Sequence, residues 1–176
     1  MKKLLILFSC ITSLAASAQL NGDSVKAQLV KDWERAKTYT NEYLQAMPAD
    51  KYTYRPHDSV RTFAEQMLHL AQGNIGFAFN GTGKDRIWVG RQLEKSATAQ
   101  NRDSVVYYVN ASYDHMIDAI KNVDASIFGK SHGRGSFTET RLTWLNKGFE
   151  HQTHHRGQTT IYIRMLGIKP PPEKLF

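Results

Sequence analysis

The residues best suited to chemistry stand close together near the C-terminus. His151, His154 and His155 lie in Glu150-His151-Gln152-Thr153-His154-His155-Arg156-Gly157-Gln158 and are three of the chain's seven histidines. The segment reads as part of a helix that ends at Gly167, where Pro170-Pro171-Pro172 prevents continuation. Residues four apart on a helix lie one above the other, with Cβ atoms about 5–6 Å apart. His151 and His155 can therefore aim ring nitrogens at one cation, whose bonds to nitrogen are about 2.0–2.1 Å. His154 points about 100° away from His155 and joins the same ion only if it pairs with His151 across three residues instead. The row Leu145, Gly148, His151, His155, Thr159, Tyr162 makes one continuous face and favours the His151/His155 pair.

A bundle of helices builds such sites from facing elements, so a third ligand is expected from another helix at similar depth. His69, near the middle of the second helix, fits best; His57 precedes that helix, His115 lies beside the core stripe of the third, and His132 sits in a glycine-rich loop. Taken alone, a histidine on a half-apolar helix face is usually a hydrogen-bonded core residue, so His69 is a weaker signal than the pair. Three neutral imidazoles with no thiolate leave a coordination position open, the pattern of a catalytic metal site. Such a site lowers the pKa of bound water or of a coordinating thiol and so generates a nucleophile. Imidazole ligands suit zinc, nickel, copper or iron. Glu65, one turn before His69, is placed to orient it or act as a base; the plainer reading is a solvated residue of the helix's first turns. Arg156 and Gln158 read as fixing the helix end by hydrogen bonds, with an acidic substrate group as the alternative, and Gly157 suggests a close helix approach.

Four helices are needed to hold these residues. After the loop Asn21-Gly22-Asp23-Ser24, apolar residues recur at helical spacing through Val25, Leu29, Trp33, Ala36, Tyr39, Tyr43 and Met47, and Pro48 ends the run. Trp33, Tyr39 and Tyr43 read as core, and Tyr52 and Tyr54 as folded back on the bundle. Asp58-Ser59 predicts the start of the second helix, with Val60, Phe63, Ala64, Met67, Leu68, Ala71 and Ile75 as its stripe. Asn80-Gly81-Thr82-Gly83 breaks it, and a polar stretch to Arg102 follows with Trp88 as its one large apolar anchor, a length typical of a crossover or lid. Asp103-Ser104 opens a third helix through Ile120, a glycine-rich loop spans Phe128 to Gly135, and the fourth helix begins near Thr138 or Thr140. No strand alternation persists beyond four residues. The expected fold is all-α, a four-helix bundle with a long crossover connection between helices two and three.

At 176 residues the chain suits one domain. Lys2-Lys3, the apolar run Leu4 to Ala15 and Ala16-Ser17-Ala18 read as a secretory signal cut after Ala18, leaving residues 19–176 as the domain. The apolar run is too short for a permanent membrane span. The single cysteine, Cys10, falls inside the signal, and bulky Phe8 with a short preceding apolar run argues against lipidation. The expectation is an exported, periplasmic or secreted protein without disulfide or thiolate. The formal charge of +7 becomes +5 when Lys2 and Lys3 are removed. The basic residues, among them Lys84, Arg86, Arg91, Lys95, Arg102 and Arg134, are scattered along the chain, which argues against nucleic acid as a partner. A small-molecule substrate is expected instead.

Lys51-Tyr52-Thr53-Tyr54-Arg55-Pro56, the stretch Val60 to Ala71 around His69, His151-Gln152-Thr153-His154-His155-Arg156-Gly157-Gln158, and Tyr162 to Pro171 together resemble the DinB-like family, over nearly the whole of residues 19–176. The resemblance implies a four-helix bundle, commonly homodimeric, with a divalent metal (zinc, nickel or iron) held by His69, His151 and His155, and His154 as a neighbour that does not bind. The family includes thiol-dependent S-transferases and isomerases. A signal peptide departs from that pattern, because low-molecular-weight thiols are scarce outside the cytoplasm, and hydrolysis suits an exported protein better. A module that binds metal or a small ligand without turnover is the alternative.

Overall fold

The computed structural model describes residues 21–176, so the expected signal segment and Cys10 lie outside the described residues. The described chain is mainly helical: α1 spans Gly22–Ala46, α2 Phe63–Thr82, α3 Arg102–Asn122 and α4 Arg141–Met165, with a hairpin of β1 (Ser131–Arg134) and β2 (Phe137–Thr140) before α4. No described helix is long and apolar enough to cross a membrane.

The helix starts follow side-chain capping more closely than the apolar periodicity. Asn21 caps α1 through Asp23 N, Asn101 caps α3 through Ser104 N, and Thr140 caps α4 through Thr143 N. The second helix begins at Phe63, later than Asp58-Ser59 predicts. Thr62 and Glu65 form a reciprocal capping box that satisfies two backbone donors at once. The Phe63 and Ala64 amides donate back to the Tyr54 and Tyr52 carbonyls. Val60 is left outside the core, whereas Tyr52 is buried, packs edge-on against Phe63 and donates its hydroxyl to the Leu44 carbonyl at 2.7 Å.

The hairpin is a departure from the all-α expectation. Its strands are only four residues long and joined by Gly135-Ser136, with Gly135 at φ +60°, a conformation glycine adopts without steric cost. Strands this short carry no readable alternation. His132 accordingly sits on β1, edge-on to Phe79, and its carbonyl accepts from the Trp144 indole at 2.9 Å.

In the core, α1 and α2 each pack against both α3 and α4. Trp33, Tyr39 and Tyr43 of α1 are buried, joined by Phe63, Met67 and Leu68 of α2 and by Val109, Tyr113 and Met116 of α3. Each such large side chain contributes roughly 1.5–3 kcal/mol on burial. Asn74 meets Ser112, and Lys84 pairs with Asp118 farther along both segments, so α2 and α3 run in the same direction. By contrast His69 faces His155 while Gly73 faces His151, which makes α2 and α4 antiparallel. Residues 83–101, between α2 and α3, contain two short 3-10 turns, Leu93–Lys95 and Ala97–Ala99. Buried Leu93 and Ala99 anchor this connection; Trp88, expected to do so, is only half-buried.

Candidate metal centre

The closest approach of α2 to α4 sets the site. A Cβ on Gly73 would lie 2.2 Å from His151 Cε1, and one on Gly148 would lie 2.8 Å from Phe77 Cβ, so both positions must lack a side chain. The close approach thus lies at these glycines, whereas Gly157 faces open space. With the helices this near, His69 from α2 and His151 and His155 from α4 each offer a ligand atom, all within 4.8 Å of one another. The ring centroids are 5.2 Å apart for His69 and His151, 4.5 Å for His69 and His155, and 4.3 Å for His151 and His155.

His69 is oriented from its far side. Its Nδ1 lies 2.5 Å from Glu94 Oε1, and Arg61 Nε donates to Glu94 Oε2 at 2.7 Å. An ionised carboxylate only accepts, so Nδ1 carries the proton and Nε2 presents its lone pair to α4. Burial would raise the Glu94 pKa, but the hydrogen bonds from Arg61 and His69 outweigh it and hold the carboxyl below its ordinary value. A carboxylate behind a metal-ligating imidazole fixes its tautomer and raises its basicity.

The other two rings are kept neutral. Burial, then the charges of the neighbouring histidines, pushes His151 down to about 4 and His155 down to about 3. Neutral imidazole is the form that coordinates metal.

The donor set fits a cation. His69 Nε2 and His151 Nε2 face each other at 3.3 Å, and tetrahedral bonds of 2.0–2.1 Å hold two nitrogens about 3.3 Å apart. Nδ1 of His151 and of His155 is buried without a hydrogen-bond partner. Orphaned buried polar atoms of this kind cost about 1–3 kcal/mol each; an ion held on the Nε2 atoms of His69 and His151 leaves the His151 Nδ1 orphaned, so it is the facing Nε2 atoms that mark the ion's place.

The triad opens onto a cavity of about 630 Å³, with His69 and His151 in its wall and His155 buried behind them. The remaining expected residues lie elsewhere. Glu65 is committed to its capping box and lies 3.9 Å from Arg55, so the group that orients His69 is Glu94. Sequence reading missed Glu94 and Arg61: Glu94 is separated from His69 by 25 positions in a polar stretch without periodicity. The one available signal was Leu93, an apolar residue that pins this stretch to α2. His57 is exposed and bonded to Ser59, His115 is buried on α3, and His154 turns outward to Gln158. Arg156 is buried and donates to Gln152 at 2.8 Å and to Thr40 at 3.4 Å, inside the bundle and not at the helix end expected for it.

Three imidazoles converging from two helices of a bundle, beside an open cavity, define a helical protein with a site able to hold a metal ion. The DinB family model matches residues 19–175, and the chain belongs to the DinB family. Its fold is similar to that of a DinB-like protein from Bacillus cereus, with a TM-score of 0.71 at 16% identity, covering 84% of this chain and 96% of that one. A DinB-like protein from Bacillus subtilis gives 0.66 at 17% identity, covering 85% and 96%. A conserved protein from Enterococcus faecalis gives 0.63 at 15% identity, covering 81% and 96%. No curated protein matches the chain.

Proposed function

We propose that this chain is an exported metal-dependent enzyme acting on a small molecule, in which His69, His151 and His155 hold zinc, nickel or iron. The observation that carries the proposal is the convergence of three imidazoles, with the Nε2 atoms of His69 and His151 3.3 Å apart, beside an open cavity. A divalent ion bound there supplies Lewis acidity at the open side of the triad. The chain's own residues prepare the place for it. Glu94 holds the His69 proton on Nδ1, burial keeps His151 and His155 unprotonated, and Gly73 leaves room for the His151 ring. We read residues 83–101 as the crossover between two parallel helices, bringing Glu94 back to the level of His69.

Hydrolysis suits the proposed export, and thiol-dependent transfer suits the family. The experiment is elemental analysis of natively purified protein, followed by turnover of small esters, amides and thiol-plus-electrophile pairs with and without chelator. Stoichiometric metal and chelator-sensitive turnover in one class support the reading. Protein that carries no metal and takes none up overturns it.

A second reading is a module that captures metal or a small ligand without turnover. It is favoured by Glu94, the only carboxylate lining the cavity among the described residues, which is already committed to His69 and Arg61. Bound metal without turnover in any class selects it. Export is tested by the mature N-terminus, expected at Gln19, and the homodimer by sedimentation equilibrium.

A further inference from the structure

The cavity beside the histidines has walls whose chemistry the metal reading does not use. Four cationic side chains line it: Arg86, Arg91 and Lys95 from the connection after α2, and Arg134 from the end of β1. All four are exposed, and among the described residues none lies within ion-pair distance of a carboxylate. Aromatic groups position two of them without neutralising them: Arg86 lies over the Phe79 ring at 4.5 Å, and Arg91 Nη1 donates to the Tyr108 hydroxyl at 3.3 Å. The wall's one carboxylate, Glu94, is offset by Arg61 and His69. A cleft lined by one sign of charge concentrates ligands of the opposite sign, and guanidinium forks match the geometry of carboxylate and phosphate oxygens.

The same wall carries an apolar strip. Ile87, Trp88 and Val89 line the cavity, and Val89 is 81% exposed. Trp88 is the only non-glycine residue with positive φ among the described residues, at +59°, and its ring meets Tyr108 edge-on at 5.1 Å. A bulky residue held in that conformation marks a segment fixed by its surroundings, and such segments cluster at ligand clamps. Apolar lining with a few placed polar groups is the composition of small-molecule sites.

We propose that the cavity binds a small organic anion. Its acid group lies among Arg91, Lys95, Arg134 and Arg86, its apolar part covers Ile87, Trp88 and Val89, and its reactive end faces the histidines. Only the last of these placements rests on the proposed metal function; recognition of the acid group belongs to the cationic wall alone.

The test therefore uses metal-free protein. Calorimetric titration with benzoate and with benzamide, its neutral isostere, at low and high salt, reads the charge preference. Benzoate is expected to bind about tenfold or more tightly than benzamide at low salt, as for a charge-assisted contact, with the difference shrinking as salt rises. The double variant Arg91→Gln/Arg134→Gln should lose that preference while keeping the wild-type circular dichroism spectrum and zinc uptake. If that pair misfolds, Arg86→Gln/Lys95→Gln makes the same test from the other cations. Equal affinity for benzoate and benzamide overturns the proposal, as does a folded double variant that keeps the preference. Zinc uptake of the wild type is measured separately, so a failed metal reading with intact benzoate preference is distinguishable from the reverse.

Discussion

Side by side on α4 stand two polar pairs, His151/His155 and Gln152/Arg156, each four residues apart, and their surroundings differ. The Gln152 side chain oxygen accepts from Arg156 at 2.8 Å and from the Tyr113 hydroxyl at 2.8 Å. Thr40 completes the chain at 2.7 Å from Tyr113, and the Arg156 guanidinium lies over the Tyr39 ring at 4.5 Å. Burial pushes the Tyr113 hydroxyl up to about 12, so it stays a neutral donor. This set is closed, with buried donors answered by acceptors inside the bundle. The histidine set, one residue round the helix, is open, because its rings converge on one another at the wall of a cavity instead of meeting donors and acceptors inside the bundle. A buried polar network is sound only when its members are satisfied. The closed set therefore reads as framework, and the open set as a place that requires something from outside the chain.

Four changes sharpen or break this contrast. The largest effect is expected from His155→Ala, which should weaken zinc binding by more than the roughly 10–100-fold typical of outer-shell substitutions, with little change in metal-free stability. Unchanged affinity in a titration against a competing chelator breaks the contrast. Arg156→Met removes a donor from the closed set and should cost about 1–3 kcal/mol in urea unfolding while zinc stoichiometry stays the same; loss of zinc instead would mean the two sets are one site. Glu94→Gln keeps the shape but removes the carboxylate behind His69, and zinc affinity should fall toward the lower part of the roughly 10–100-fold range. An affinity equal to wild type removes Glu94 from the site.

The smallest effect is on pH dependence. Metal-free His151 and His155 have folded pKa values of about 4 and about 3, below the unfolded value near 6.5. The unfolded chain therefore binds more protons, so this contribution is fully present above about pH 6.5 and is lost as pH falls toward about 3. His115, also lowered by burial, adds in the same direction. Urea midpoints should fall on acidification less steeply in His155→Ala than in wild type, and equal slopes would count against burial of a neutral His155.

The helices were largely legible because their stripes obey the 3.6-residue period and because Pro48, Gly83 and Gly167 interrupt them. The placement of Phe63 as the true start of α2 was not, since the capping box competes with the weaker signal at Asp58-Ser59. The hairpin escaped for want of length, although Gly135-Ser136 between two short runs was its one local mark. Within the site, the His151/His155 spacing was visible because both residues share one helix. Glu94 was not, since the chain leaves α2 and returns before placing it against His69.

By itself the sequence determined what sits on each helix: the histidine pair on one face of α4, His69 on α2, and the family to which the chain belongs. Periodicity and local spacing are properties of neighbouring residues, so they survive in one dimension. Only the tertiary structure decided how close α2 and α4 come, through Gly73 and Gly148, and therefore that the rings meet. It also gathered Arg86, Arg91, Lys95 and Arg134, scattered along the chain, around one cavity. Charge convergence and unpaired nitrogens depend on which surfaces pack together, and no local pattern of residues records that.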